Sequence, residues 1–168
     1  MNTKQTDDKM QLNIKHLEFI QNNIDRMNRC SFQVKCWTMA IVSLVLTIFT
    51  TKDMNMDYMQ WMPFVALIPT IILWCLDAFY LCTERKFVEM YNYLIKKFDS
   101  KKNGKPFESP SQINLIDFEM NPNKFSYKHY NCFKRTTMLS AMFSKTIFPI
   151  YLFVMLGLVT ANILAIVL

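Results

Sequence analysis

The sequence predicts an all-α integral membrane protein with three transmembrane helices, the first two continuous with long cytoplasmic amphipathic helices. Three observations carry this reading. Apolar residues are gathered into charge-free blocks, Gly is nearly absent, and basic residues fall on alternate segments. Only 2 of the 168 residues are Gly, while 14% are aromatic and 13 are Met. Tight left-handed turns draw on Gly, so a chain this poor in it points to long helices rather than hairpinned sheets. Its length suits one domain.

Residues 36–51, 58–76 and 146–168 contain no Asp, Glu, Lys or Arg, and run to 16, 19 and 23 residues. Crossing about 30 Å of hydrocarbon takes roughly 17–25 helical residues. The second and third blocks meet that length. The first is short, and Lys35 and Lys52 at its ends can lengthen it by reaching outward with their ammonium groups. A soluble bundle would also bury such helices, but it leaves a polar stripe on each. In the last 18 residues only Thr160 and Asn162 are polar. The first block starts too late for a signal peptide, so the N-terminus is expected to be retained.

Orientation follows from charge, because Lys and Arg resist translocation. Residues 1–35 hold six of them, residues 77–145 hold twelve, and residues 52–57 hold one beside two Asp. The expected layout is a cytoplasmic helix (1–35), a first span (36–51), a short outer loop (52–57) and a second span (58–76). A cytoplasmic helix (77–100), a cytoplasmic loop or interfacial region (101–145) and a third span (146–168) follow. The N-terminus is then cytoplasmic and the C-terminus outside, in a bacterial inner membrane.

Leu17, Ile20, Ile24 and Met27 recur at helical spacing, with Glu18, Asp25, Arg26 and Arg29 off that stripe. Phe87, Tyr91, Leu94 and Phe98 form a second stripe, and the two can be buried against each other. Pro63 and Pro69 lie in the second span, where a missing N–H favours a kink. The run KKNGKPFESP over 101–110 is a break. Beyond it, Asn121-Pro122-Asn123 signals a turn. Phe125, Tyr127, Tyr130 and Phe133 beside Lys124, Lys128, Lys134 and Arg135 suit the headgroup layer.

No cofactor or metal is expected. The five Cys, at 30, 36, 75, 82 and 132, form no Cys-x-x-Cys pair, and an odd count on the cytoplasmic side argues against disulfides. They read as small hydrophobes. His16 and His129 have no ligand-spaced partner. All-helical RNases of the HEPN class carry Arg a few residues before His. Here Asn123 stands ahead of His129 with no Arg between, a degenerate form of that motif.

Asp77 stands at the inner end of the second span, where a carboxylate faces the protein interior, a cation or water. Either it marks a pore or interface, or it pairs with Arg85 in its own chain or a neighbour. Ser144, Thr146, Thr160 and Asn162 can hydrogen-bond across helices, each such bond contributing on the order of 1 kcal/mol.

Three blocks carry a family resemblance. They are His16-Leu17-Glu18-Phe19-Ile20-Gln21 with Ser31-Phe32-Gln33-Val34-Lys35-Cys36-Trp37, then Trp74-Cys75-Leu76-Asp77-Ala78-Phe79-Tyr80-Leu81 with Glu84-Arg85-Lys86-Phe87, and Phe143-Ser144-Lys145-Thr146-Ile147-Phe148. Together they resemble a family of small bacterial membrane proteins. The layout is similar to SLATT-type antiphage effectors and to the pore-forming membrane accessory protein of type VI-B CRISPR systems. The resemblance implies a homo-oligomeric effector or accessory protein of antiphage defence that forms a pore or depolarises the membrane, with a CRISPR or other defence-system partner. Pore or interface candidates are Asp77, Arg85, Ser144, Thr146, Thr160 and Asn162. The alternatives are a membrane-tethered degenerate HEPN-like RNase using Asn123 and His129, and a passive subunit of a larger membrane complex. A net charge of +6 suits contact with anionic lipid or with a nucleic-acid-loaded partner.

Overall fold

The computed structural model describes residues 2–50, 62–102, 120–125 and 136–167, and among these the regular structure is entirely helical. Helix α1 covers Asn2–Thr50 and α2 covers Met62–Lys102. A 3-10 turn over Pro122–Phe125, a short α3 over Met138–Met142 and α4 over Phe148–Val167 follow. The expected outer loop and the first residues of the 58–76 block lie outside the described residues.

The length of α1 follows from composition. Neither Gly nor Pro occurs within it, so no residue withholds a backbone N–H or relaxes the backbone, and at 1.5 Å per residue it is about 74 Å long. Pro63 falls in the first turn of α2, where a missing N–H costs nothing, whereas Pro69 lies inside the helix, which continues through it. One residue on, the Thr70 hydroxyl donates to the Ala66 carbonyl at 2.7 Å. Thr38 and Thr47 return their hydroxyls to Val34 and Ser43 in the same way, at 2.9 and 2.8 Å. Such i−4 bonds satisfy a hydroxyl without water.

Two helices, over Met10–Ile48 and Val65–Ser100, are long and apolar enough to cross a membrane. Only 17% and 28% of their most apolar windows are buried inside the protein, unlike the core helix of a soluble bundle. The Phe148–Ala161 stretch of α4 is a shorter apolar helix.

The chain divides into two compact units. The first takes Met1–Asn28 and Cys82–Thr137. Its core is Ile20, Phe87, Met90, Tyr93 and Leu94, with Leu17, Ile24, Tyr91 and Phe98 packed on it. Burying a large apolar side chain contributes about 1.5–3 kcal/mol, so this cluster anchors the early part of α1 on the later part of α2.

The second unit takes Arg29–Leu81 and Met138–Leu168. Ala66, Val154 and Leu158 form its apolar core, with Val42, Val45 and Leu67 against them. Toward the other end of the seam Ser31, Thr38, Thr70 and Asp77 are buried beside Val34 and Ala78. Large apolar side chains face out, with Phe32 67%, Trp37 66%, Ile68 66% and Phe153 77% exposed.

Candidate functional site

Asp77 is fully buried in the second unit, and Ser31 and Lys35 of α1 reach it. Residues 66, 70, 74 and 77 fall on one face of α2 because they step by four, four and three. Residues 31, 35 and 38 do the same on α1. The two faces meet, and the Ser31 hydroxyl donates to Asp77 Oδ1. Lys35 Nζ lies 3.0 Å from Oδ1 and donates to it, and 2.6 Å from the Ser31 oxygen. The same ammonium is 3.0 Å from Asp77 Oδ2, which is paired by charge but accepts no aligned hydrogen bond. Lys35 is itself only 21% exposed.

Aromatic residues close the site on the α4 side. The Tyr151 ring stacks on Trp74 with centroids 5.9 Å apart and 16° between planes. Its hydroxyl makes a long 3.5 Å hydrogen bond to the Leu73 carbonyl. Phe143 meets the other side of Trp74 edge-on at 6.2 Å. The Trp74 indole N–H is buried with no acceptor. The site is thus a charge pair with a hydroxyl between its members, in an apolar surround that magnifies electrostatic interaction.

The structure separates the residues singled out from sequence. Asp77 is paired with Lys35 and Ser31, whereas Arg85 belongs to the first unit. Lys35, read as reaching outward from the first span, turns inward to the carboxylate. Ser144 serves the turn before α4: its carbonyl accepts from Phe148 N at 3.0 Å, and its hydroxyl from Ile147 N at 3.3 Å. The hydroxyls of Ser144 and Thr146 lie 3.1 Å apart. Exposed Thr160 donates to the Gly157 carbonyl at 2.9 Å. The hydroxyls of Ser144 and Thr160 are therefore engaged locally, which lowers their value for bonding across helices. Asn123 Oδ1 accepts from Lys86 Nζ at 3.2 Å in the first unit. His129 and the side chain of Asn162 lie outside the described residues.

Ser31, Lys35, Thr38, Trp74 and Tyr151 are the site residues that sequence reasoning missed. A signal existed for Lys35. It immediately precedes one charge-free block and Asp77 immediately follows the next, so two antiparallel spans bring opposite charges to the same depth.

In the first unit, the Cys82 thiol is buried and donates to the Thr136 carbonyl at 2.9 Å. Burial pushes it above its ordinary value, with Lys86 and Arg85 pulling more weakly the other way. Among the described residues, no three His, Cys, Asp or Glu side chains stand close enough to share a metal ion. No family model matches the chain, and no curated protein or solved structure is significantly similar to it.

Proposed function

We propose that the chain is a multi-pass bacterial inner-membrane protein that acts as a homo-oligomeric effector or accessory of antiphage defence, by forming a pore or depolarising the membrane. The observation that carries the membrane part is the large apolar surface that the second unit exposes around a buried ion pair. A buried Asp77–Lys35 pair sits inside while Phe32, Trp37, Ile68 and Phe153 face out. In water that arrangement exposes large apolar surface at a cost of about 25 cal/mol per Å², whereas hydrocarbon accepts it. α4 is then the third span, with the N-terminus cytoplasmic and the C-terminus outside.

Three spans are too few to enclose a water path, so conduction requires a ring of subunits. The defence role rests on the resemblance of the three sequence blocks. The test is the mass of the detergent-purified 20.0 kDa chain by light scattering, alongside a potential-sensitive dye in cells expressing it. A discrete ring-sized oligomer together with collapse of the potential is expected. A monomer or dimer with the potential intact after triggering by phage infection would overturn the pore reading.

A further inference from the structure

Apolar patterning cannot say which face of α1 turns inward. The face toward α2 carries Ser31, Val34, Lys35, Thr38, Val42 and Val45, while the outer face carries Phe32, Trp37, Leu44 and Ile48 beside Gln33, Ser43 and Thr47. Both faces thus mix large apolar side chains with polar ones, and composition marks neither as the inner one. In a bilayer, lipid tails are as apolar as leucine, so no hydrophobic force prefers one rotation or register of packed helices over another. A slip of one residue turns α1 by about 100° and carries Lys35 off Asp77. At the inner end of the two spans that leaves a carboxylate which is fully buried in the native packing without its cation. The Ser31 hydroxyl has the same acceptor and loses it in the same slip.

We propose that Ser31, Lys35 and Asp77 form a register latch, a polar interlock that selects one rotation and one axial position of α1 on α2 among many apolar packings of similar energy. This rests on the membrane-spanning reading of both helices and not on pore formation. Its role is positioning. Buried ion pairs are often replaceable by apolar residues with no loss of stability, and fixing register is their best-attested use. A purely stabilising pair and a latch therefore predict different things for a variant in which both charges become apolar.

The experiment uses the full chain in cell membranes, with the five native cysteines replaced by Ala. V45C is combined in turn with V65C, A66C, L67C and I68C, and disulfides are formed with an oxidant. Val45 packs against the cluster that contains Ala66, so one dominant crosslink, to A66C or L67C, is expected in the parent. In Lys35→Met/Asp77→Leu the chain is expected to stay in the carbonate-washed membrane while the dominant crosslink falls severalfold and its neighbours rise. Lys35→Asp/Asp77→Lys restores the single crosslink. A parent crosslinking pattern retained in Lys35→Met/Asp77→Leu overturns the latch and leaves the membrane reading standing. Release of the parent chain by carbonate overturns the membrane reading itself, and the latch with it. The apolar pair leaves no unpaired charge, so the test does not depend on a variant with a broken ion pair folding.

Discussion

Lys35 and Asp77 stand 42 residues apart in the chain, yet the lysine nitrogen lies 3.0 Å from each carboxylate oxygen, with the Ser31 hydroxyl held between them. The hydroxyl donates to one charged group and accepts from another, so its removal weakens two charge-assisted bonds at once. Ser31→Ala is expected to destabilise the second unit by about 1.5–3 kcal/mol. Unfolding in mixed micelles with increasing SDS would measure it. A loss indistinguishable from that of an exposed control such as Gln33→Ala would contradict the geometry.

Ile20 is fully buried in the first unit while Phe19, its neighbour in sequence, is 61% exposed. Ile20→Ala leaves a cavity among Phe87, Met90 and Leu94 and is expected to cost about 2–5 kcal/mol. Phe19→Ala is expected to change stability by less than about 0.5 kcal/mol. Thermal unfolding of the two variants beside the parent checks the contrast.

The Cys82 thiol holds its proton more tightly when folded than when unfolded, since burial raises it above 9.0. The sign follows from linkage. The stability contributed is complete below the unfolded value and is lost as pH rises through the higher folded one. A chain with Cys82 as its single cysteine should alkylate slowly at neutral pH and more slowly than after denaturation. Stability should fall above pH 9.0, and Cys82→Ala should flatten that fall. Equal alkylation rates in native and denatured protein would exclude the buried placement.

Gly157 lies within α4, and a Cβ added there would meet nothing within 4 Å. Ala in its place removes backbone freedom from the unfolded chain without a clash. Gly157→Ala should therefore stabilise the monomeric fold by about 0.5–1 kcal/mol, read from SDS-driven unfolding under conditions where mass measurement shows single chains. A destabilised monomer would mean that the space is filled.

Helical class was legible because nothing in residues 2–50 interrupts a helix, and because Leu17, Ile20 and Ile24 recur every three or four positions. Those three stand in one cluster with Phe87, Tyr91, Leu94 and Phe98 of the second stripe. Asp77 was legible as a carboxylate at the edge of an apolar block. Its partner was not, because spacing relates residues along one helix and Arg85 is the nearest cation in that frame. Lys35 belongs to another helix, and only the pairing of α1 with α2 brings it near. The local setting of Ser144 was not legible for a related reason. Composition ran the third span on from residue 146, but Pro149 favours a fresh helix start, and Ser144 caps the turn that precedes it.

The stacking of Trp74 against Tyr151 gives the protein its own optical gauge. An indole whose N–H has no acceptor sits in surroundings that relax little around its excited state, so Trp74 emits at the blue end of the tryptophan range. Trp37, 66% exposed, answers instead to whatever solvent lies outside the bundle. With Trp37 and Trp61 replaced by Phe, a rearrangement that parts Tyr151 from Trp74 and admits water beside the indole shifts its colour, so the motion of α4 against α2 can be followed without attaching a dye.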